Sequence, residues 1–233
     1  MTPNDFIISP NFTGLLSVKG ADAFSFLQNI ITNDLKLLES QDMVHACLLT
    51  PQGKYLHDFY VRTHDGGYAI ACEGESRMDD MVKRLNIYKL RADVEIKPWI
   101  LQGDGWVGHD DPEYKVWDKN RISESRPDGQ RDAEIGASTL AELNLDISTV
   151  SYTKGCFVGQ ELVAKMHNRN LGKKHLVGVE FFDAPPANGA EINNIGFMRS
   201  SSDNFGLILM QREAEENIKQ GKITDAPFRL LGL

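Results

Sequence analysis

Apolar residues change their spacing several times along the chain, and each change marks a predicted element. Residues 12–18 read as a first strand that ends at Lys19-Gly20. The spacing then lengthens. Phe24, Leu27, Ile31, Leu35 and Leu38 recur every three or four positions, which predicts a helix with Asp22 placed to cap or charge its first turn. Residues 44–49 and 55–62 read as strands joined by Thr50-Pro51-Gln52-Gly53, where Pro in the second place and Gly in the fourth fit a type I hairpin turn. A strand over 67–72 follows, then a helix from Ser76 whose buried face is Met78, Met81, Val82 and Leu85. Leu90, Ala92, Val94 and Ile96 alternate with Arg91, Asp93, Glu95 and Lys97, which predicts a half-buried strand.

The middle of the chain is less regular. Short strands are predicted at 99–101 and 114–117, flanking a loop with Asp110-Asp111-Pro112. That acidic pair lacks the oxygen-ligand spacing of a calcium loop and reads as a turn, and no metal site is expected. Residues 131–151, with Leu140, Leu143 and Ile147, read as a short helix and connector. A helix with Val158, Leu162, Val163 and Met166 on its seam comes next. Strands at 176–182, 196–199 and 206–211 and a helix over 212–220, closed by Gly221, complete the series.

Composition narrows the picture only in part. At 233 residues the chain can bury a sizeable core as one large or two smaller domains. A net charge of −8 argues against broad nucleic-acid binding, and direct nucleic-acid contact is not expected. Lys165, His167, Arg169, Lys173, Lys174 and His175 form a local basic cluster that suits an anion or simply a solvated helix end. Cys47, Cys72 and Cys156 are odd in number and form no Cys-x-x-Cys, which points to a reducing compartment. The first residues lack a basic, apolar leader, and no apolar run approaches the ~20 residues of a membrane span. A cytoplasmic protein with no membrane association is the expectation.

The chemistry concentrates in Lys154-Gly155-Cys156-Phe157-Val158-Gly159-Gln160-Glu161. The two glycines let the backbone turn tightly and approach a ligand closely. Cys156 is expected at or just before a helix N-terminus, where the dipole and Lys154 favour a thiolate. Spacing alone leaves open whether Cys156 is a functional thiol or a small buried hydrophobe.

This stretch, with Ala164-Lys165-Met166-His167-Asn168-Arg169, resembles the signature of the YgfZ-type folate-binding proteins. Those are relatives of the glycine-cleavage T-protein, an aminomethyltransferase. The resemblance extends to Gly20-Ala21-Asp22-Ala23, Phe26-Leu27-Gln28, Tyr88-Lys89-Leu90-Arg91, and Arg121-Ile122 with Pro127. Departures occur at Lys165, where the family has Arg, at Asn170, where it has Gly, and at Ser125, which replaces a glycine.

The resemblance implies an α+β fold: a folate-binding region over residues 1–170 of mixed sheets and helices, and a small β-barrel-like domain over 171–233. It implies tetrahydrofolate or a derivative as ligand, with Asp58, Arg91, Arg121, Lys154, Gly155, Gln160 and Glu161 as candidate binding residues and Cys156 as candidate functional thiol. Asp58 is otherwise a residue of alternate strand spacing that faces solvent, and Arg91 otherwise makes a surface ion pair. The implied function is that of an accessory protein for iron–sulfur cluster assembly or repair, with client enzymes, tRNA-modifying ones among them, as partners. The alternative is a folate-dependent aminomethyl transferase. Where the T-protein carries paired aspartates this chain has His57-Asp58, which counts against the transferase.

Overall fold

The computed structural model describes residues 14–99, 111–169 and 171–231, in two compact units. Asn170 and residues 12–13 and 100–110, on which some of the expectations above fall, lie outside the described residues. The first unit takes in the described residues up to 99 together with 135–137 and 147–164. Its sheet is antiparallel, built from β1 (Gly14–Lys19), β2 (Val44–Leu49), β3 (Tyr55–His64), β4 (Gly67–Cys72) and β5 (Glu95–Pro98) in the order β2-β3-β4-β1-β5. Side chains alternate across a strand. Leu16, Val18, Ala46, Leu48, Phe59, Val61 and Ile70 therefore share a face, which packs with α1 (Ala23–Ile30) and α2 (Glu75–Lys89) into one core.

The second unit holds 111–134, 138–146 and the described residues from 165. Its antiparallel sheet uses β6 (Lys174–Phe181), β7 (Glu191–Ile192), β8 (Gly196–Ser202), β9 (Phe205–Gln211) and β10 (Phe228–Leu230) in the order β10-β6-β9-β8-β7. It also contains α3 (Pro112–Ser123) and the single turn α4 (Gly129–Asp132). After α5 (Gln160–Arg169), which begins in the first unit, comes α6 (Arg212–Lys219). Gly221, at φ +68, ends α6 as expected, its N–H donating to the Ile218 carbonyl at 3.0 Å. The α+β class holds.

Four elements differ from their expectation. The helix expected within 131–151 does not form: α4 ends at Asp132, residues 133–151 run through turns, and Ile147 is 88% exposed instead of packing on a helical face. The segment 114–117 is helix, not strand. Asp111 accepts from the Glu113 N–H at 2.8 Å and Pro112 opens the first turn, so a strong start signal overrides a four-residue alternation. The buried residues Tyr114, Asp118, Arg121 and Ile122 then follow helical spacing.

The strand expected from Leu90 begins only at Glu95. Helix α2 runs to Lys89, and Leu90 caps it at a positive φ of 45 with 88% of its surface exposed. The long helix expected through Leu38 stops at Ile30, and a short 3-10 turn, Leu35–Glu39, follows. Ile31 is extended and bridges Leu48 instead. Thr32 and Asn33 use side-chain groups to bind the β2 backbone, an alternative that these residue types offer to a helix. Asp22 does not cap α1 with its side chain; its Oδ2 accepts from the Asp93 N–H at 2.8 Å.

Candidate functional site

The β2–β3 hairpin fixes the register of the site. Cys47 lies opposite Asp58 and His45 opposite Tyr60, so these four side chains share the face turned away from the helical core. The His45 and Tyr60 rings stack at 4.2 Å between centroids. His45 Nε2 lies 2.8 Å from Asp58 Oδ2, and the Tyr55 hydroxyl donates to Asp58 Oδ1 at 2.7 Å. Tyr55 is also 3.5 Å from Glu73 Oε1, and Arg77 Nε donates to Glu73 Oε2 at 2.8 Å. A polar chain therefore runs from His45 through Asp58 and Tyr55 to Glu73 and Arg77. Asp58 is 4% exposed, so the solvent-facing alternative for it is corrected. Burial and the Asp58 charge push the Tyr55 hydroxyl and the Cys47 thiol well above their ordinary range, which keeps both protonated.

A cleft of about 600 Å3 opens over the His45–Tyr60 stack. Val44, Asn33 and Gln41 form one side, and residues 147–153 other than Thr149 supply the facing wall. Among the described residues that line the cleft there is no lysine or arginine.

Thr32 and Asn33 join these parts. The Thr32 hydroxyl donates to the Thr149 carbonyl at 2.5 Å and accepts from the Cys47 N–H at 2.8 Å. Asn33 Nδ2 donates to the carbonyls of His45 and Ser148, and the Ser151 N–H donates to the Thr32 carbonyl at 3.1 Å.

Lys154 inserts into the same junction. It is 9% exposed, and its Nζ donates to the Ile31 carbonyl at 2.9 Å and to the Asn33 carbonyl at 2.7 Å. Burial lowers its pKa to about 8, and Asp34 opposes that shift. Gly155 is open: an added Cβ would meet nothing within 4 Å. Cys156 is exposed. Helix α5 starts at Gln160, with Phe157-Val158-Gly159 between it and the thiol, so Cys156 is not at the helix end as expected. The dipole effect fades within a turn, and exposure rather than the helix makes this thiol available. Gly159, at φ +83, packs into the hairpin tip. A Cβ there would lie 2.6 Å from the Thr50 carbonyl oxygen, and one on Gly53 would lie 2.7 Å from the Gly159 oxygen. Glu161 is exposed and Gln160 half-buried in the first turn of α5.

Neither candidate arginine is among the described residues that line the cleft. Arg91 is exposed in the turn after α2. Arg121 belongs to the second unit and is 1% exposed. Its Nε donates to Asp118 at 2.7 Å, NH1 to Asp132 at 2.7 Å and to the Arg126 carbonyl at 3.2 Å, and NH2 to Ser200 at 2.7 Å. NH2 also lies 2.6 Å from Asp118, so all five N–H donors have partners in that unit.

Sequence reasoning passed over His45, Tyr55, Glu73, Thr32 and Asn33. Counting pairs outward from the Thr50–Gly53 turn sets His45 opposite Asp58 and so flags it as a neighbour of that carboxylate, but the observed register, which shifts between Leu48 and Leu49, makes Tyr60 its cross-strand partner. The others depend on side-chain reach across the sheet. Among the described residues no group of three or more His, Cys, Asp or Glu is gathered for a metal, and no helix is long and apolar enough to cross a membrane.

The cysteines make a direct expectation. Cys47 and Cys72 are fully buried, the latter with its thiol pushed up to about 12 by burial and Glu73. Iodoacetamide on the native protein should modify Cys156 first, with the other two labelled only after unfolding; peptide mass spectrometry reads the order. Equal native rates at the three positions would contradict the burial.

No family model matches the chain. It is similar to the human mitochondrial iron–sulfur cluster assembly factor IBA57, 28% identical, over 85% of this chain and 75% of that protein. The mouse protein of the same name is 26% identical over the same shares. A mitochondrial IBA57 homolog of Mycosarcoma maydis is 26% identical over 75% of this chain and 57% of its own. Among solved structures, the glycine cleavage aminomethyltransferase T of Bartonella henselae superposes with a TM-score of 0.66 at 13% identity, covering 84% of this chain and 76% of that one. The fold is that of the aminomethyltransferase. The cytoplasmic expectation is overturned, because these curated relatives are mitochondrial. Unpaired cysteines and the composition of the first residues describe a redox environment and a peptide, not a compartment.

Proposed function

We propose that the chain is a reduced-folate-binding accessory protein that supports assembly or repair of iron–sulfur clusters in client enzymes, tRNA-modifying enzymes among them. The carrying observation is the pairing of a ring-sized cleft with an exposed thiol, Cys156, on the same strap of chain. Similarity to iron–sulfur cluster assembly factors supports the cluster role, and the aminomethyltransferase fold supports the folate.

The residues of the cleft fit the pterin head of a folate. A volume of about 600 Å3 is within the range of ligand pockets. The His45–Tyr60 stack offers a flat aromatic wall, and Asn33, Gln41 and Ser151 offer neutral donors and acceptors for an amide-like ring edge. With no lysine or arginine among the described residues of the lining, the cleft suits the head and leaves a glutamyl tail outside. Asp58 acts through His45, which it orients. When bound, the folate supplies a one-carbon carrier or a redox-sensitive reduced ring. The accessory role is favoured over aminomethyl transfer because Asp58 is buried and engaged by both His45 and Tyr55, so it is not a free general base.

Thermal unfolding with and without tetrahydrofolate tests this reading. Ligand at one hundred times its dissociation constant should add about 2.7 kcal/mol. His45→Ala should remove most of the shift. No shift, with no heat of binding by calorimetry, would overturn the folate assignment.

A further inference from the structure

The strap that walls the cleft and the residue that displays the thiol are one continuous piece of chain. Ser151, Tyr152 and Thr153 line the cleft, Lys154 follows at once, and Cys156 is two residues further on. Two anchors bracket Cys156. Upstream, Lys154 is clipped to the Ile31 and Asn33 carbonyls, and Asn33 is itself a cleft residue. Downstream, Phe157 is buried and Gly159 is wedged against the Thr50–Gly53 turn, where there is no room for a Cβ. Only Gly155 and Cys156 lie between these anchors. An added Cβ at Gly155 would meet nothing within 4 Å, and glycine is the residue whose backbone is least restricted, so Gly155 is the compliant link.

We infer that occupancy of the cleft sets how Cys156 is presented, through the Lys154 clip. A ligand against Ser151 and Tyr152 shifts or steadies the upstream anchor. The downstream anchor is fixed to the hairpin, so the difference is taken up at Gly155-Cys156. Lys154 is a positioning residue here and touches neither the ligand nor the client. Its two hydrogen bonds go to backbone carbonyls, and its Nζ also lies 5.5 Å from the centre of the Phe157 ring. The coupling would hold Cys156 in a single arrangement, less open to a small alkylating reagent, while the cleft is occupied. It rests on the folate reading of the cleft.

The test follows iodoacetamide modification of Cys156 in the full chain, with 5-formyltetrahydrofolate as the probe. Saturating probe should slow modification about fivefold, the lower end of ordinary coupling between sites. In Lys154→Met the probe should still bind, by calorimetry, while the Cys156 rate loses its dependence on the probe. A merely structural Lys154 would lower the melting temperature and leave that dependence intact, which would overturn the coupling. Binding to the native protein without any change in the Cys156 rate would also overturn it and leave the folate reading standing.

If the probe fails to bind, the folate reading falls alone, because a second variant examines the coupling without ligand. Ser148→Trp places a ring in the cleft from its exposed wall. It should slow Cys156 modification relative to the native chain, and should fail to do so when combined with Lys154→Met. An unchanged rate in the single variant would overturn the coupling independently of any folate.

Discussion

Arg121→Ala should lower the unfolding free energy of the second unit by about 3–5 kcal/mol, the usual result of removing one partner from a buried charge network. Asp118 and Asp132 are both nearly inaccessible, and Arg121 joins them. Arg131 contacts Asp118 at 2.7 Å and so compensates one carboxylate in part, but among these contacts it does not reach Asp132. Asp132 keeps backbone donors, from Asp128 and Ser200, without a countercharge. Arg121→Lys should recover only part of the loss, because an ammonium cannot reproduce the planar fork that serves Asp118, Asp132, Ser200 and a carbonyl together. Urea unfolding followed by tryptophan fluorescence reads the change, since Trp117 lies 5.5 Å from the guanidinium. An arginine held ready for a ligand carboxylate would instead cost less than about 1 kcal/mol on truncation, as exposed ion-pairing groups do.

That contrast also shows how far residue patterns reach. The hairpin was legible because Thr50-Pro51-Gln52-Gly53 is turn chemistry between two alternating runs, and β2 and β3 lie where those runs do. Burial of Cys47 and Cys72 followed from their apolar strands. The misreadings came where two signals competed. At 114–117 a four-residue alternation fitted a strand, while Asp111-Pro112 just upstream was the stronger, helical signal. At Thr32 the apolar spacing continued but the side chains preferred the backbone of β2.

The site was legible only at its tip. Cys156 is accessible, as a functional thiol must be, but the reason is a two-residue span between anchors and not a helix end. The work of Lys154 depends on carbonyls more than a hundred positions earlier in the chain, and no local pattern reports such a contact. Asp58 shows the same limit. Strand alternation suggested a solvent-facing side chain, but Asp58 is buried, because its partners His45 and Tyr55 reach it from a neighbouring strand and from the start of its own.

Between pH 6.5 and 4 the first unit should lose about 3 kcal/mol of stability because of His57 alone. Its register partner is Leu48, so it faces the helical core, where it is fully buried with Nε2 2.8 Å from Asp80 Oδ2. Burial, with Arg77 adding repulsion, lowers its pKa from 6.5 to about 4, against the opposing pull of Asp80. In the unfolded chain the imidazole takes up a proton as the pH drops below 6.5, while in the folded chain it stays neutral down to about 4. Protons therefore favour the unfolded state across that window, and stability falls with pH at up to about 1.4 kcal/mol per unit. The loss is complete near the folded value and does not grow below it. Asp80, whose carboxyl lies below its ordinary range through Arg84 and His57, adds a loss of the same sign only at still lower pH. His175, also lowered by burial, belongs to the second unit and contributes equally to native and variant chains. Urea unfolding at several pH values between 6.5 and 4.5 should therefore show a steep slope for the native chain and a shallower one for His57→Leu. The substitution also removes the unpartnered Nδ1 from the core. Parallel slopes in the two proteins would mean that His57 already carries its proton in the folded state, with the Asp80 carboxylate outweighing burial and Arg77.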